Sequence, residues 1–283
     1  MDQVTGTIHI QQSQVWQTNT GIISRDDRVI LIDPGVLASE LDTLAEALRG
    51  REIVAGFATH FHWDHILWAP GLGAAPRHAS TETCRLVTEH QARILGLLDR
   101  IEQQMAAEHG LGPQWDRSLL FDLQPMSLGA GTIAGVACEL IDISGHADGQ
   151  TALLLPDDDV AFVADTLSDV ETPSLAEGNG QRERYLATLD RLQDVIDRVS
   201  WVIPGHGAVA DRAEAQRRLD ADRRYLEHLP TAVAAAPAEH SDEDLARAIA
   251  ADLGETRAGD GLSWDMHLEN VRILRAEAVR SPG

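Results

Sequence analysis

The chain has 283 residues, 43% of them hydrophobic, enough to bury a sizeable core and too apolar for global disorder. Its formal net charge of −22 sets most of the surface against a polyanionic partner and argues against general nucleic-acid binding. All 23 basic residues are arginine, which excludes Schiff-base, P-loop and general-base lysine chemistry; the two cysteines, Cys84 and Cys138, form no Cys-x-x-Cys pair.

Residues 4 to 33 read as strands. Thr7-Ile8-His9-Ile10, Gly21-Ile22-Ile23-Ser24 and Val29-Ile30-Leu31-Ile32 are rich in β-branched residues, with a turn at Arg25-Asp26-Asp27-Arg28. Asp33-Pro34-Gly35 ends the last of them as a turn. Leu41, Leu44, Ala45 and Leu48 share one helical face, so residues 39 to 49 are expected to form a helix capped by Ser39 and stopped by Gly50. A strand over Ile53 to Ala58 follows.

That strand runs into Thr59-His60-Phe61-His62-Trp63-Asp64-His65. Three imidazoles and a carboxylate within six residues form a mixed nitrogen and oxygen donor set. Neutral imidazole is the commonest protein ligand for zinc, and it also serves iron and nickel. Any one of these histidines alone would be ordinary; four potential ligands so close together point to a metal site. Phe61, Trp63 and Trp68 are candidates for a pocket wall or for core.

Beyond it, Leu86, Ile94, Leu97, Leu98, Ile101 and Met105 recur at helical spacing, and Gly110-Leu111-Gly112-Pro113 breaks the pattern. Residues of about 81–117 therefore read as a helical insertion, either a lid or wall of the site or ordinary packing. Strands return between Leu119 and Val163, with His146 just after one and Asp165 just after another. Residues 181–199 read as a helix. Trp201-Val202-Ile203 reads as a short strand before Pro204-Gly205-His206-Gly207. From Asp211 onward the chain is expected to be helical over 213–228, 242–252 and 264–279, with a linker at 232–237. Arg77, Arg182 and Arg184 are candidate clamps for a substrate anion. Trp264-Asp265-Met266-His267 offers a surface for a homodimer.

His60-x-His62-x-Asp64-His65 resembles the signature of the metallo-β-lactamase superfamily of hydrolases. Ser144-Gly145-His146, Ala164-Asp165-Thr166 and Pro204-Gly205-His206-Gly207 are similar to that family's later motifs, in the expected order, and Asp33 resembles its early supporting aspartate. The resemblance implies an α/β fold, the αββα sandwich, over residues 1–210, with the helical region 211–283 packed on it or appended to it. It implies two divalent metal ions, zinc first and iron or manganese as alternatives. His60, His62 and His146 would hold one, Asp64, His65 and His206 the other, and Asp165 would bridge them. A hydroxide between two such cations would attack a small-molecule substrate, with Asp64 and Asp165 orienting it or moving a proton.

The pattern is similar to the glyoxalase-II-like and lactonase-like branches, so the expected bond is a thioester, lactone or other ester. Asp165, where some true β-lactamases have cysteine, points away from antibiotic hydrolysis. Lactonases of the superfamily often carry a tyrosine soon after the bridging aspartate; Tyr185 is the nearest here. A phosphodiesterase, or a persulfide-dioxygenase-like enzyme with a single iron, is the alternative. With no signal-peptide pattern and no apolar run long enough to span a bilayer, the expected setting is cytoplasmic, with neither membrane nor nucleic acid as partner.

Overall fold

The computed structural model describes residues 1–109, 115–175, 180–237, 240–259 and 261–280. Seven strands make the first sheet, in sequence order across it: β1 (Asp2–Gln3), β2 (Ile8–Gln12), β3 (Asn19–Arg25), β4 (Arg28–Ile32), β5 (Glu52–Ala58), β6 (Arg77–Ser80) and β7 (Gln124–Met126). Hairpin-connected β1 to β4 are antiparallel, whereas β4 to β7, separated by longer crossovers, run parallel. The second sheet holds β8 (Gly129–Ile133), β9 (Val136–Asp142), β10 (Thr151–Leu155), β11 (Val160–Phe162), β12 (Trp201–Ile203) and β13 (Ala210–Asp211), again side by side in chain order. Only β11 and β12 pair in parallel there, because a helix intervenes between them.

The central strands are apolar on both faces, and alternation sends each set to a different layer. In β4, Ile30 and Ile32 meet Leu153, Leu155 and Phe162 of the other sheet, forming the dry interior between the two sheets. Val29 and Leu31 face outward onto α1 (Ala38–Ala47), α2 (Thr81–Glu89) and α3 (Gln91–His109). On the far side, Ala152, Leu154 and Ala161 back onto α4 (Gln181–Ile196), α5 (Arg212–Ala235), α6 (Asp242–Leu253) and α7 (Gly261–Arg280). The layers are therefore helix, sheet, sheet, helix, the αββα sandwich that the motifs imply.

Several boundaries differ from the sequence reading. Helix α1 begins one residue early, with Leu37 at its N-cap instead of Ser39. Glu40 does the capping from inside, its carboxylate accepting from Leu37 N–H (3.2 Å), Gln14 N–H (2.9 Å) and the Ser13 hydroxyl (2.7 Å). The helical spacing read from Leu86 to Met105 belongs to two helices, parted at His90, whose N–H closes the first by donating to Leu86 O. Gly110-Leu111-Gly112-Pro113 lies outside the described residues. Helix α5 continues through Pro230 to Ala235, so most of the expected linker is helix. Leu226, Leu229 and Val233 bury there, and their packing outweighs the cost of a proline inside the helix.

Candidate metal centre

Four chain segments end at one edge of the sandwich. His60 to His65 follow β5, His146 lies in the turn after β9, Asp165 lies just beyond β11, and His206 lies just beyond β12. Thr151 N–H donates to Thr59 O (3.0 Å), which ties the two sheets together beneath the site.

All seven residues singled out by the sequence converge. The donor atoms of His60, His62, His146 and Asp165 lie within 4.8 Å of one another, as do those of Asp64, His65 and His206. Asp165 stands between the groups. Its Oδ2 is 3.5 Å from His60 Nε2, 3.4 Å from His146 Nε2 and 3.4 Å from His206 Nε2, and its Oδ1 is 3.2 Å from His65 Nε2. Asp64 Oδ2 lies 3.4 Å from both His65 Nε2 and His206 Nε2.

The outward nitrogens are tied to protein, which leaves the inward ones free to converge. His65 Nδ1 donates to Asp33 Oδ2 (2.9 Å) and His206 Nδ1 to Trp16 O (3.0 Å). Asp33 also accepts from the Thr59 N–H (2.8 Å) and hydroxyl (2.6 Å), so one carboxylate fixes both the start of the histidine loop and the tautomer of His65. Glycine at 205 is a space requirement: a Cβ there would run into Asp165 Oδ1 and come within 3.0 Å of His65 Cε1. Of eight described non-glycine residues with left-handed backbone, Trp16, Gln17, Asp33, Ala164 and Leu167 surround this edge, the clustering of strain typical of functional sites.

The residues fit a pair of cations. His60 Nε2 and Asp165 Oδ1 are buried without a hydrogen-bond partner, a costly arrangement that a cation would relieve. Burial opposes ionisation of Asp64 and Asp165, but the surrounding imidazoles outweigh it and hold both carboxyls well below their usual range. Burial, with Asp165 acting against it, pushes His146 down to about 4, and burial keeps His60 well below an ordinary histidine. Burial would lower His65 and His206 as well, but the neighbouring carboxylates outweigh it and raise both well above an ordinary histidine, so a cation there would displace their protons; a mixed imidazole and carboxylate set of this kind suits zinc, and suits iron or manganese as well.

The cavity over this centre holds about 770 Å³ of empty space, mouth included. Phe61 and Trp63 line it, whereas Trp68 is core, its indole N–H donating to Gly73 O (2.9 Å). From the region read as an insertion, α3 contributes Arg93, Ile94 and Leu97 to the wall. The three clamp candidates are used elsewhere. Arg77 is buried against Ile66 O and Leu119 O, Arg182 donates to Leu226 O (2.8 Å), and Arg184 pairs with Asp148. Tyr185 is buried beneath the site with its hydroxyl 3.3 Å from Asp165 O, away from the cavity. His267 is buried too, its Nδ1 2.8 Å from the Tyr225 hydroxyl.

Sequence reasoning missed Glu171, Trp16 and Met266 in the cavity wall. Glu171 is 7% exposed, its Oε1 has no hydrogen-bond partner and lies 3.8 Å from His206 Nδ1, and burial pushes its carboxyl up to about 7. A signal existed in Ser168, whose hydroxyl accepts from Val170 N–H and Glu171 N–H (3.1 Å each) and turns the chain back toward the site.

A four-layer sandwich with its histidines and aspartates gathered at the shared edge of the two sheets defines the metallo-β-lactamase fold. Residues 13–93 match the model of the metallo-beta-lactamase superfamily, and the chain belongs to that superfamily. A hydroxyacylglutathione hydrolase of Ruegeria pomeroyi is 30% identical over 190 residues, 67% of this chain and 60% of that protein; the chain thus spans about 60% of the length of the curated relative it matches. Among solved structures, a metallo-beta-lactamase family protein of Thermus thermophilus is similar over 98% of this chain and 95% of its own, at 19% identity and a TM-score of 0.66. The stereoselective inverting sec-alkylsulfatase Pisa1 of Pseudomonas sp. matches 97% of this chain and 49% of its own, at 17% identity and a TM-score of 0.65. Among the described residues, no helix is long and apolar enough to cross a membrane.

Proposed function

We propose that the protein is a metal-dependent hydrolase that cleaves a thioester, lactone or other ester of a small molecule. The observation that supports this reading best is the pair of donor groups that face one cavity and share Asp165. In this reading His60, His62 and His146 hold one divalent cation, Asp64, His65 and His206 hold a second, and Asp165 serves both. When bound, such cations lower the pKa of a water from 15.7 to about 7 and draw charge from the acyl oxygen.

The protein's own residues supply the rest. Asp33 keeps the His65 Nδ1–H pointed outward, and the Trp16 carbonyl does the same for His206. We assign to Asp64 and Asp165 the orientation of the attacking water and the passage of its proton. The acyl carbon gains the water oxygen, its bond to the alcohol oxygen or thiol sulfur breaks, and the departing atom takes up the proton. The Ruegeria relative is named for hydrolysing hydroxyacylglutathione, which favours an acyl bond over a phosphodiester.

The test is a panel on metal-replete protein, with a thioester, an aliphatic lactone, a simple ester, a β-lactam and an activated phosphodiester, and His62→Ala as the blank. Faster cleavage of an acyl substrate, lost in the blank, is expected, with two metal ions per chain by elemental analysis. No turnover above the blank, together with one iron per chain and oxygen uptake on a persulfide, would replace this reading with the dioxygenase alternative.

A further inference from the structure

The cavity is lined by apolar side chains apart from its metal-facing floor, Glu171 and Arg93. Trp16, Phe61, Trp63, Ile94, Leu97 and Met266 come to it from the β2–β3 loop, the histidine loop, α3 and α7. Trp16 is the telling member. It is 37% exposed, an unusual state for so large an apolar side chain at a cavity mouth, and its backbone is held at φ 54°, a region a tryptophan rarely adopts. It is not loose. Its ring meets Trp63 edge-on at 5.6 Å, Trp63 meets Trp115 at 5.1 Å, and the Trp115 indole N–H is anchored on Val36 O (2.7 Å). A braced row of three indoles thus presents one uncovered face over the metal centre.

The polar part of the wall points the same way. Glu171 is buried beside His206 with an unpartnered oxygen, and the upper wall is otherwise apolar apart from Arg93, so a carboxylate ending an acyl chain would give up its hydration against apolar side chains. We propose, resting on the acyl-hydrolase reading above, that the substrate's acyl portion is an uncharged apolar chain or ring that lies along Trp16 and Trp63 toward Ile94, Leu97 and Met266. Short acyl groups leave this wall wet, and acyl groups ending in a carboxylate are disfavoured.

The experiment is a ladder of thioesters and esters with one leaving group and acyl chains of increasing length, on metal-replete protein, beside chains of equal length that end in a carboxylate. The value of kcat/KM is expected to rise about fourfold per methylene until the wall is covered, and then level. Leu97→Asp should flatten the ladder while the metal content stays at its wild-type value. In parallel, binding of the product fatty acids and matched alkanols is read from tryptophan fluorescence, with Trp16→Phe as the control that moves the signal. Turnover without chain-length preference, or preference for the carboxylate-ended chains, overturns this proposal and leaves the hydrolase reading standing. No turnover but tighter binding of longer alkanols sinks the acyl-hydrolase reading and keeps the apolar wall. Neither turnover nor length-dependent binding sinks both.

Discussion

On the proposed reading, retention of a cation turns on Asp33, which acts through the imidazole of His65. Its two oxygens accept from Thr59 and from His65, so Asp33→Asn would put an amide N–H where an imidazole N–H must donate. Loss of such a support typically costs roughly 10- to 100-fold in metal affinity. The expected result is about one metal ion per chain after dialysis against a weak chelator, in place of two, with the His60, His62 and His146 half retained. Retention of both ions would mean that His65 needs no such support. Gly205→Ala is the steric counterpart: it should displace Asp165, lower metal content in both halves and abolish turnover, as elemental analysis and the hydrolysis panel would show. At this scale the sequence was most informative where ligands stand close together or carry a glycine-marked turn. Trp16 was illegible because it has no chemical neighbour in the sequence, and at Glu171 Ser168 hinted only at a turn; each reaches the cavity only when its loop folds back against His206.

The elements around the site are held by buried arginines, and Arg257 ties most. From the short turn before α7 it donates to Ser168 O (3.1 Å), Glu171 O (3.0 Å), Asp222 (2.6 Å) and both oxygens of Glu255 (2.6 and 2.8 Å), with 9% of its side chain exposed. It therefore links the segment after Asp165 to α5. Arg257→Met should leave Asp222 buried and unpaired, a loss of about 3–5 kcal/mol and on the order of 10 °C in Tm. Replacing Asp222 by leucine in the same chain should recover much of it, because the stranded charge is the main cost; calorimetry of the two variants decides the matter.

Glu255 gives this link a pH signature. Burial opposes its ionisation, but hydrogen bonds from Arg257 outweigh burial and lower its pKa from the ordinary 4.5. A carboxyl lowered on folding stabilises fully above its unfolded pKa and loses that contribution as pH falls through the folded one. The Tm difference between wild type and Glu255→Gln should hold steady above pH about 5 and shrink below pH about 4.5. A difference that is flat across that window would show that Glu255 contributes nothing through its charge; acid loss of metal is common to both proteins and cancels. Element boundaries were the least legible level. Apolar spacing runs unbroken through His90, so it could not reveal the break between α2 and α3, and residues 232–237 read as a linker where packing carries α5 on to Ala235.

At the scale of the whole molecule, the order of motifs was enough to imply two sheets with a site at their common edge, but it left open how the last seventy or so residues relate to them. The packing argues for one folding unit. Leu268, Val271 and Leu274 of α7 share a buried cluster with Leu154 and Ala161 of the second sheet. Ser263 Oγ accepts from Thr172 N–H (3.0 Å), Asn270 Oδ1 accepts from Leu175 N–H (2.8 Å), and Asn270 donates to Pro173 O (2.6 Å). The segment that follows Asp165 and bears Glu171 thus takes its backbone partners from α7, while Met266 adds to the cavity wall. A chain ended after residue 260 would expose Tyr225, Leu226 and Ile249 and strand those amides. It should lose cooperative melting, bind a hydrophobic dye and hold fewer than two metal ions. If it instead melts as one sharp transition with both ions bound, α7 is an appendage, and the wall that Met266 completes is dispensable to the centre.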